Sequence, residues 1–209
     1  MTPQFVSSLS IAYLLGSIPF AYLIARWAKG VDIRAVGDGN PGAKNVFEQI
    51  SPTAGVAVGL LDIGKGVAAL LVARTLGLSE TALLWIGVAA MVGHNWSLFL
   101  HFQGGQGMAT TVGVFLVLLP QETLAALLVI AAMLWLVRHW DIACGIGFAS
   151  LPLWMWWTAR PLELFLYIIA FLPLIGIRKW TQRARASHGE FLDLRHSRRN
   201  EGIYIKSGQ

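Results

Sequence analysis

Two glycine-rich segments hold most of the residues whose types and spacing could do chemistry. The first runs Gly37-Asp38-Gly39-Asn40-Pro41-Gly42-Ala43-Lys44-Asn45, with Asp32 and Arg34 just before it. Three glycines, a proline and two asparagines within nine positions force turns, several of them at positive φ. Successive backbone N–H groups in such turns converge on an anion. Asp38 is then a carboxylate that could take the proton of a hydroxyl, while Arg34 and Lys44 are cations suited to a phosphate. A tight connection between two helices would draw on the same residue types, so a purely structural loop is the competing reading.

The second segment, His101-Phe102-Gln103-Gly104-Gly105-Gln106-Gly107, runs straight into an apolar stretch at Met108. A glycine turn at a helix N-terminus presents N–H groups and the positive end of the helix dipole, which suits a phosphate or an oxyanion. A lysine usually supplies the counter-charge, and here Gln103 and Gln106 stand beside the glycines instead. The alternative is a hinge in which the glycines let backbones pack closely.

Charged and polar groups also fall inside apolar runs. Asp62 and Lys65 are three residues apart and so share one helix face. Charges at that depth face a polar interior, where they pair with each other or act on a substrate. His94, within Gly93-His94-Asn95-Trp96, is either a proton carrier or hydrogen-bonding glue between helices. Gly55, Gly59, Gly64 and Gly66 read as a small-residue packing face, and the single Cys144 as a packing residue with no disulfide partner.

The elements that must position these groups are membrane helices. Of the 209 residues 56% are hydrophobic and 13% charged, against about 25% charged in soluble domains. The net charge of +5 alone would admit nucleic acid, but no soluble reading module accompanies it, and nine Trp between apolar runs fit bilayer anchoring. A span needs about 17 to 25 mainly apolar residues. That ruler predicts an all-α integral membrane protein with seven spans near 4–27, 53–76, 82–101, 107–120, 122–137, 142–158 and 162–178. Pro120-Gln121-Glu122 splits what would otherwise be one long span, and six or five spans are the alternatives. The first stretch has no basic leader or cleavage site and is expected to be a retained helix.

Seven spans place Arg26, Lys29, Arg34, Lys44, Arg138 and eight Lys or Arg from Arg178 to Lys206 on one side, against Arg74 and Arg160 on the other. Basic loops stay cytoplasmic. The expected topology is N-terminus out and C-terminus in, with a helical domain over 1–178 and a basic cytoplasmic tail over 179–209. Both glycine-rich loops then lie at the cytoplasmic face.

In their order and spacing the motifs resemble the bacterial acyl-phosphate:glycerol-3-phosphate acyltransferase family, usually called PlsY. The resemblance rests on Ala12-Tyr13-Leu14-Leu15-Gly16-Ser17-Ile18-Pro19-Phe20, Asp32-Ile33-Arg34 with Gly39-Asn40-Pro41-Gly42-Ala43 and Asn45, and Leu61-Asp62 with Lys65-Gly66. Gly93-His94-Asn95-Trp96 and Gly104-Gly105 with Gly107-Met108-Ala109-Thr110 complete it. It implies a seven-helix inner-membrane enzyme of phospholipid biosynthesis, working at the cytoplasmic face without a metal or other cofactor. Its partners would be acyl phosphate, glycerol 3-phosphate or a related acceptor, and membrane lipids; it would bind no nucleic acid and act as a monomer. Carried onto this chain, the catalytic candidates are Asp38, Asn45 and His94. The phosphate-binding candidates are Arg34, Gly39, Asn40, Lys44, Lys65, Gly104, Gly105, Gly107 and Lys179.

The chain departs from the family pattern at several of these places. Asp38 stands for a serine, Lys44 for a threonine, Glu48 for an arginine, and Gln103 and Gln106 for lysines. Lys179 and Gln182 replace a histidine and an asparagine near the last helix. The sum removes positive charge, which leaves Arg34, Lys44, Lys65 and Lys179 as the expected phosphate partners. It also raises a second reading, a homologue that kept the fold as a lipid-binding or scaffold protein.

Overall fold

The structure is a computed structural model that describes residues 2–178 and 180–181, so Lys179, Gln182 and the remainder of the basic tail lie outside the described residues. All regular structure among the described residues is helical. In chain order the helices are α1 (Pro3–Ser17), α2 (Phe20–Lys29), α3 (Ala43–Gln49), α4 (Pro52–Thr75), α5 (Glu80–Asn95), α6 (Met108–Leu118), α7 (Pro120–Val137) and α8 (Trp140–Trp157). A ninth, α9, covers 162–178.

The punctuation is local chemistry. Thr2, Ser51 and Ser79 each accept a backbone N–H of the first helical turn, at 3.3, 3.1 and 3.3 Å, and open α1, α4 and α5. Pro3, Pro52 and Pro120 sit at helix starts, where a missing N–H costs nothing. Gly30 closes α2 in the left-handed conformation, at φ 69°. Proline also explains a break inside the first predicted span. Pro19 ends what would have been a single helix over 4–27, giving α1 and α2.

Seven helical stretches coincide with the seven apolar runs, but they differ in length. The segments Pro3–Lys29, Pro52–Thr75, Glu80–Leu100 and Pro120–Val137 are long and apolar enough to cross a bilayer. α6 has 11 residues and rises about 16 Å, roughly half of a hydrocarbon core.

Helices approach closely where glycine replaces a side chain. A Cβ on Gly16 would strike the Ala90 carbonyl, and one on Gly93 the Tyr13 carbonyl, which locks α1 to α5. Gly66 and Gly113 do the same for α4 and α6, against Thr110 and Ile63. Of the predicted glycine face on α4, Gly55 and Gly66 make such approaches. Gly59 has ordinary contact and Gly64 faces open space.

One core runs through α1, α4, α5, α6, α7, α8 and α9, with the rings of Phe115, Tyr167 and Phe171 in edge-on and tilted contact inside it. Outward faces stay apolar: Leu128, Trp135 and Trp157 are more than 70% exposed, as lipid-facing positions are. Glu122, expected to be costly in lipid, is buried and accepts Arg160 Nε at 2.6 Å and Nη2 at 3.1 Å, with Thr158 Oγ1 beside it. That pair joins the start of α7 to the α8–α9 turn.

Candidate active site

The site is built around the break at Pro19. The broken backbone leaves the Ser17 and Ile18 carbonyls deep in the bundle, where unfilled polar groups are expensive. Ser97 Oγ donates to the Ser17 carbonyl at 2.6 Å and Lys65 Nζ to the Ile18 carbonyl at 2.9 Å. Lys65 also pairs with Asp62 at 2.8 Å and lies 5.7 Å from the Phe20 ring centroid. Asp62 is 2% exposed and Lys65 5%. His94 completes the cluster, its Nδ1 3.7 Å from the same Asp62 oxygen.

On this cluster rests the glycine turn. Gly105 N donates to the His94 carbonyl at 3.1 Å. A Cβ on Gly104 would strike that carbonyl, and one on Gly105 the His94 Nε2, so only glycine lets the turn settle there. Gly107 opens α6 at φ 81°. From α9, Arg178 donates Nη2 to the Gly104 carbonyl at 2.7 Å and Nε to the Gly105 carbonyl at 3.2 Å, with its guanidinium over the Trp96 ring. Arg178 is 2% exposed.

The first loop is shaped by its own side chains. Asp32 caps the short turn Ile33–Ala35 and takes Arg34 Nη2 at 2.7 Å. The Arg34 guanidinium bonded to Asp32 holds this carboxyl below the usual aspartate range, and the carboxylate in turn raises the Arg34 pKa. Asn45 is fully buried and its Nδ2 lies 3.0, 3.0 and 3.2 Å from the carbonyls of Ile33, Val36 and Asn40, which fold the loop around it. Asp38 Oδ1 accepts the Asn40 N–H at 3.0 Å, an Asx turn, and Gly39 follows at φ 69°. Lys44 Nζ lies 3.8 Å from both Asp38 and Glu48.

The two loops meet where Arg34 Nη1 donates to Gln103 Oε1 at 3.5 Å. Beneath that seam the space enclosed by Pro41, Asp62, Lys65, His94 and Gly105 is about 10 Å³, enough for one water. On the first loop Arg34, Asp38 and Lys44 are partly exposed.

The predicted residues thus fall into three groups. His94, Lys65, Gly104 and Gly105 come together as the floor; Arg34, Gly39, Asn40, Asp38, Lys44 and Asn45 form the first loop; Gly107 starts α6. Lys179 is outside the described residues. Asp62 and Lys65 face the interior as a pair, as their spacing suggested. Sequence reasoning missed Ser17, Ser97 and Arg178. Pro19 was the available signal for the two serines, since a proline inside a span needs polar neighbours. Arg178 was counted as a tail charge, although it follows directly on an apolar helix.

The family model for "Glycerol-3-phosphate acyltransferase" matches residues 6–188. The chain belongs to the glycerol-3-phosphate acyltransferase family. It is 39% identical over 178 residues to a glycerol-3-phosphate acyltransferase of Geobacter sulfurreducens, covering 84% of this chain and 91% of that one. It is 42% identical over 144 residues to the enzyme of that name from Desulforamulus reducens, covering 69% and 72%. The crystal structure of PlsY (YgiH), an integral membrane glycerol 3-phosphate acyltransferase in its glycerol 3-phosphate form, superposes with a TM-score of 0.78 at 33% identity, covering 88% of this chain and 92% of that one. The protein is accordingly a membrane acyltransferase of phospholipid biosynthesis, and these relatives do not favour the scaffold reading.

Proposed function

We propose that the protein transfers a fatty acyl group from acyl phosphate to glycerol 3-phosphate, releasing lysophosphatidic acid and inorganic phosphate. The observation that carries this reading is the seam itself. Two glycine-rich loops, the first carrying Arg34 and Lys44, meet at Arg34 and Gln103 above a floor stiffened by Asp62, Lys65, His94 and Arg178. A polar surface at one end of an apolar bundle suits two phosphorylated substrates, one of them an amphiphile.

In the step we assign, the acceptor hydroxyl oxygen bonds to the acyl carbon. The bond from that carbon to the phosphate oxygen breaks, and the phosphate leaves with the electron pair. Asp38, on the solvent side of the first loop, takes the hydroxyl proton. Arg34, Lys44 and the backbone of Gly39, Asn40, Gly104, Gly105 and Gly107 hold the phosphates, and Lys179 is assigned to them by the family resemblance alone. Asn45, Lys65 and His94 position the two loops. No cofactor or metal enters the step.

The same reading assigns the architecture: seven crossings of the inner membrane, N-terminus out, C-terminal tail over 179–209 in, the site at the cytoplasmic face, and a monomer as the working unit. The charge asymmetry of the loops supports the orientation. Purified protein in lipid nanodiscs, given palmitoyl phosphate and glycerol 3-phosphate, is expected to form lysophosphatidic acid. Folded protein that forms none with this pair would reject the assignment.

A further inference from the structure

The Lys and Arg pairs at Asp32, Asp62, Glu80 and Glu122 are closed to hydrogen-bond distance, at 2.7, 2.8, 3.0 and 2.6 Å. Lys44 stands off instead. Its Nζ is 3.8 Å from Asp38 Oδ2 and 3.8 Å from Glu48 Oε1, beyond hydrogen-bond distance of both. Packing does not hold it there, since its side chain is 31% exposed and Lys44 and Glu48 line an open cavity of about 690 Å³. An ammonium with room to move and a carboxylate on either side is balanced between two attractions. The balance leaves the Lys44 N–H groups and Asp38 Oδ2 without a hydrogen bond among the described residues, while Asp38 Oδ1 is engaged by the Asn40 N–H.

Helix stability does not account for Glu48. The helix α3, Ala43–Gln49, carries Lys44 in its first turn and Glu48 in its last, each at the end where the macrodipole disfavours it. The order Lys before Glu at i,i+4 is also the weaker of the two orders, and a pair this exposed contributes little. We infer that Glu48 is a positioning residue: its carboxylate draws the Lys44 ammonium off Asp38, so that Asp38 stays open to the acceptor hydroxyl and Lys44 to a phosphate. The inference rests on the acyl-transfer reading above, in which Asp38 takes the proton, and adds what keeps that base from being tied up by the cation beside it. With the pull of Glu48 gone, Lys44 closes onto Asp38 and covers the oxygen that is to receive the proton with a charge-assisted bond.

Glu48→Gln removes the charge and keeps the size of the side chain. Its crystal structure should show Lys44 Nζ at about 2.8 Å from Asp38 Oδ2. An ammonium still beyond hydrogen-bond distance of Asp38 would overturn the inference, whatever the activity. With palmitoyl phosphate and glycerol 3-phosphate, Glu48→Gln should lower kcat about tenfold, part of what a general base supplies, at an unchanged unfolding temperature. Glu48→Asp, which keeps the charge, should lie between it and wild type. In a Lys44→Gln or an Asp38→Asn background the same Glu48→Gln change should cost nothing further, because no cation is left to close or no base is left to cover. A loss by the same factor in either background, or a kcat that falls only in step with the unfolding temperature, would overturn the inference. If the unmodified protein acylates no glycerol 3-phosphate, the acyl-transfer reading fails, while the crystal structure of Glu48→Gln still decides whether Glu48 holds Lys44 off Asp38.

Discussion

Lys65 shows how a single residue can be read correctly in place and incompletely in role. Its spacing from Asp62 predicted a buried pair, and the pair is there at 2.8 Å. The second partner, the Ile18 carbonyl, was not legible, because it depends on a chain break 47 residues away. Lys65→Met should cost about 3 to 5 kcal/mol by stranding Asp62, measured as thermal unfolding in detergent. Adding Asp62→Leu should recover most of that stability without recovering activity; a double variant that regains both would show the pair to be structural only. The same logic revises the view of the missing lysines. Gln103 and Gln106 remove two charges, but Arg178 brings a buried guanidinium to the turn. Arg178→Gln is expected to lower kcat/KM at least about tenfold, the loss of one charge-assisted bond, with Arg178→Lys between it and wild type. At Asp32 the folded-state pKa is depressed, so the stability from its bond to Arg34 is complete above the unfolded value of 3.8 and is lost as pH falls through the folded one. A stability profile of Asp32→Asn should therefore differ from wild type at neutral pH and converge with it in strong acid; parallel profiles would contradict the pair's role.

Among the elements, helix existence was legible and helix continuity was not. Apolar length located seven helical stretches, six of them to within about three residues and α5 ending at Asn95 rather than 101, because a membrane helix needs a long apolar run. The break at Pro19 was absorbed into one span, since hydropathy averages over a single proline. The glycines read as a packing face were those of α4, whereas the close approaches of Gly16 in α1 and Gly93 in α5 were not foreseen, because which helix each one meets is tertiary information. Gly16→Ala and Gly93→Ala both place a methyl group against a carbonyl of the facing helix. Each should destabilise the protein by roughly 1 to 3 kcal/mol, while Gly64→Ala, which faces open space, should be neutral or slightly stabilising. Equal unfolding temperatures for all three would mean that α1 and α5 are not packed through these glycines.

For the whole molecule, the two loops proposed to carry the chemistry were singled out from residue type alone, whereas the floor beneath them came only with the fold. Glycine, proline, asparagine and charge mark a tightly turned polar loop in a sequence. Ser17, Ser97 and Arg178 look like span or tail residues until three helices converge on them. Charge asymmetry leads to one further expectation: single cysteines at Thr2 and Ser207, with the buried Cys144 replaced, should be labelled from opposite sides of the membrane. Labelling from one side would overturn the topology.

The most direct test of the central claim, acyl transfer from acyl phosphate to glycerol 3-phosphate at the seam of the two loops, is the stoichiometry of turnover in wild type and Asp38→Asn. The asparagine keeps an oxygen for the Asn40 N–H but cannot take a proton. Wild type should form one lysophosphatidic acid for each phosphate released, only when glycerol 3-phosphate is present. Asp38→Asn should melt at the same temperature and turn over about a hundredfold more slowly with little change in KM. Phosphate release that ignores glycerol 3-phosphate, acylation from a thioester but not from acyl phosphate, or an unchanged kcat in Asp38→Asn would contradict the account.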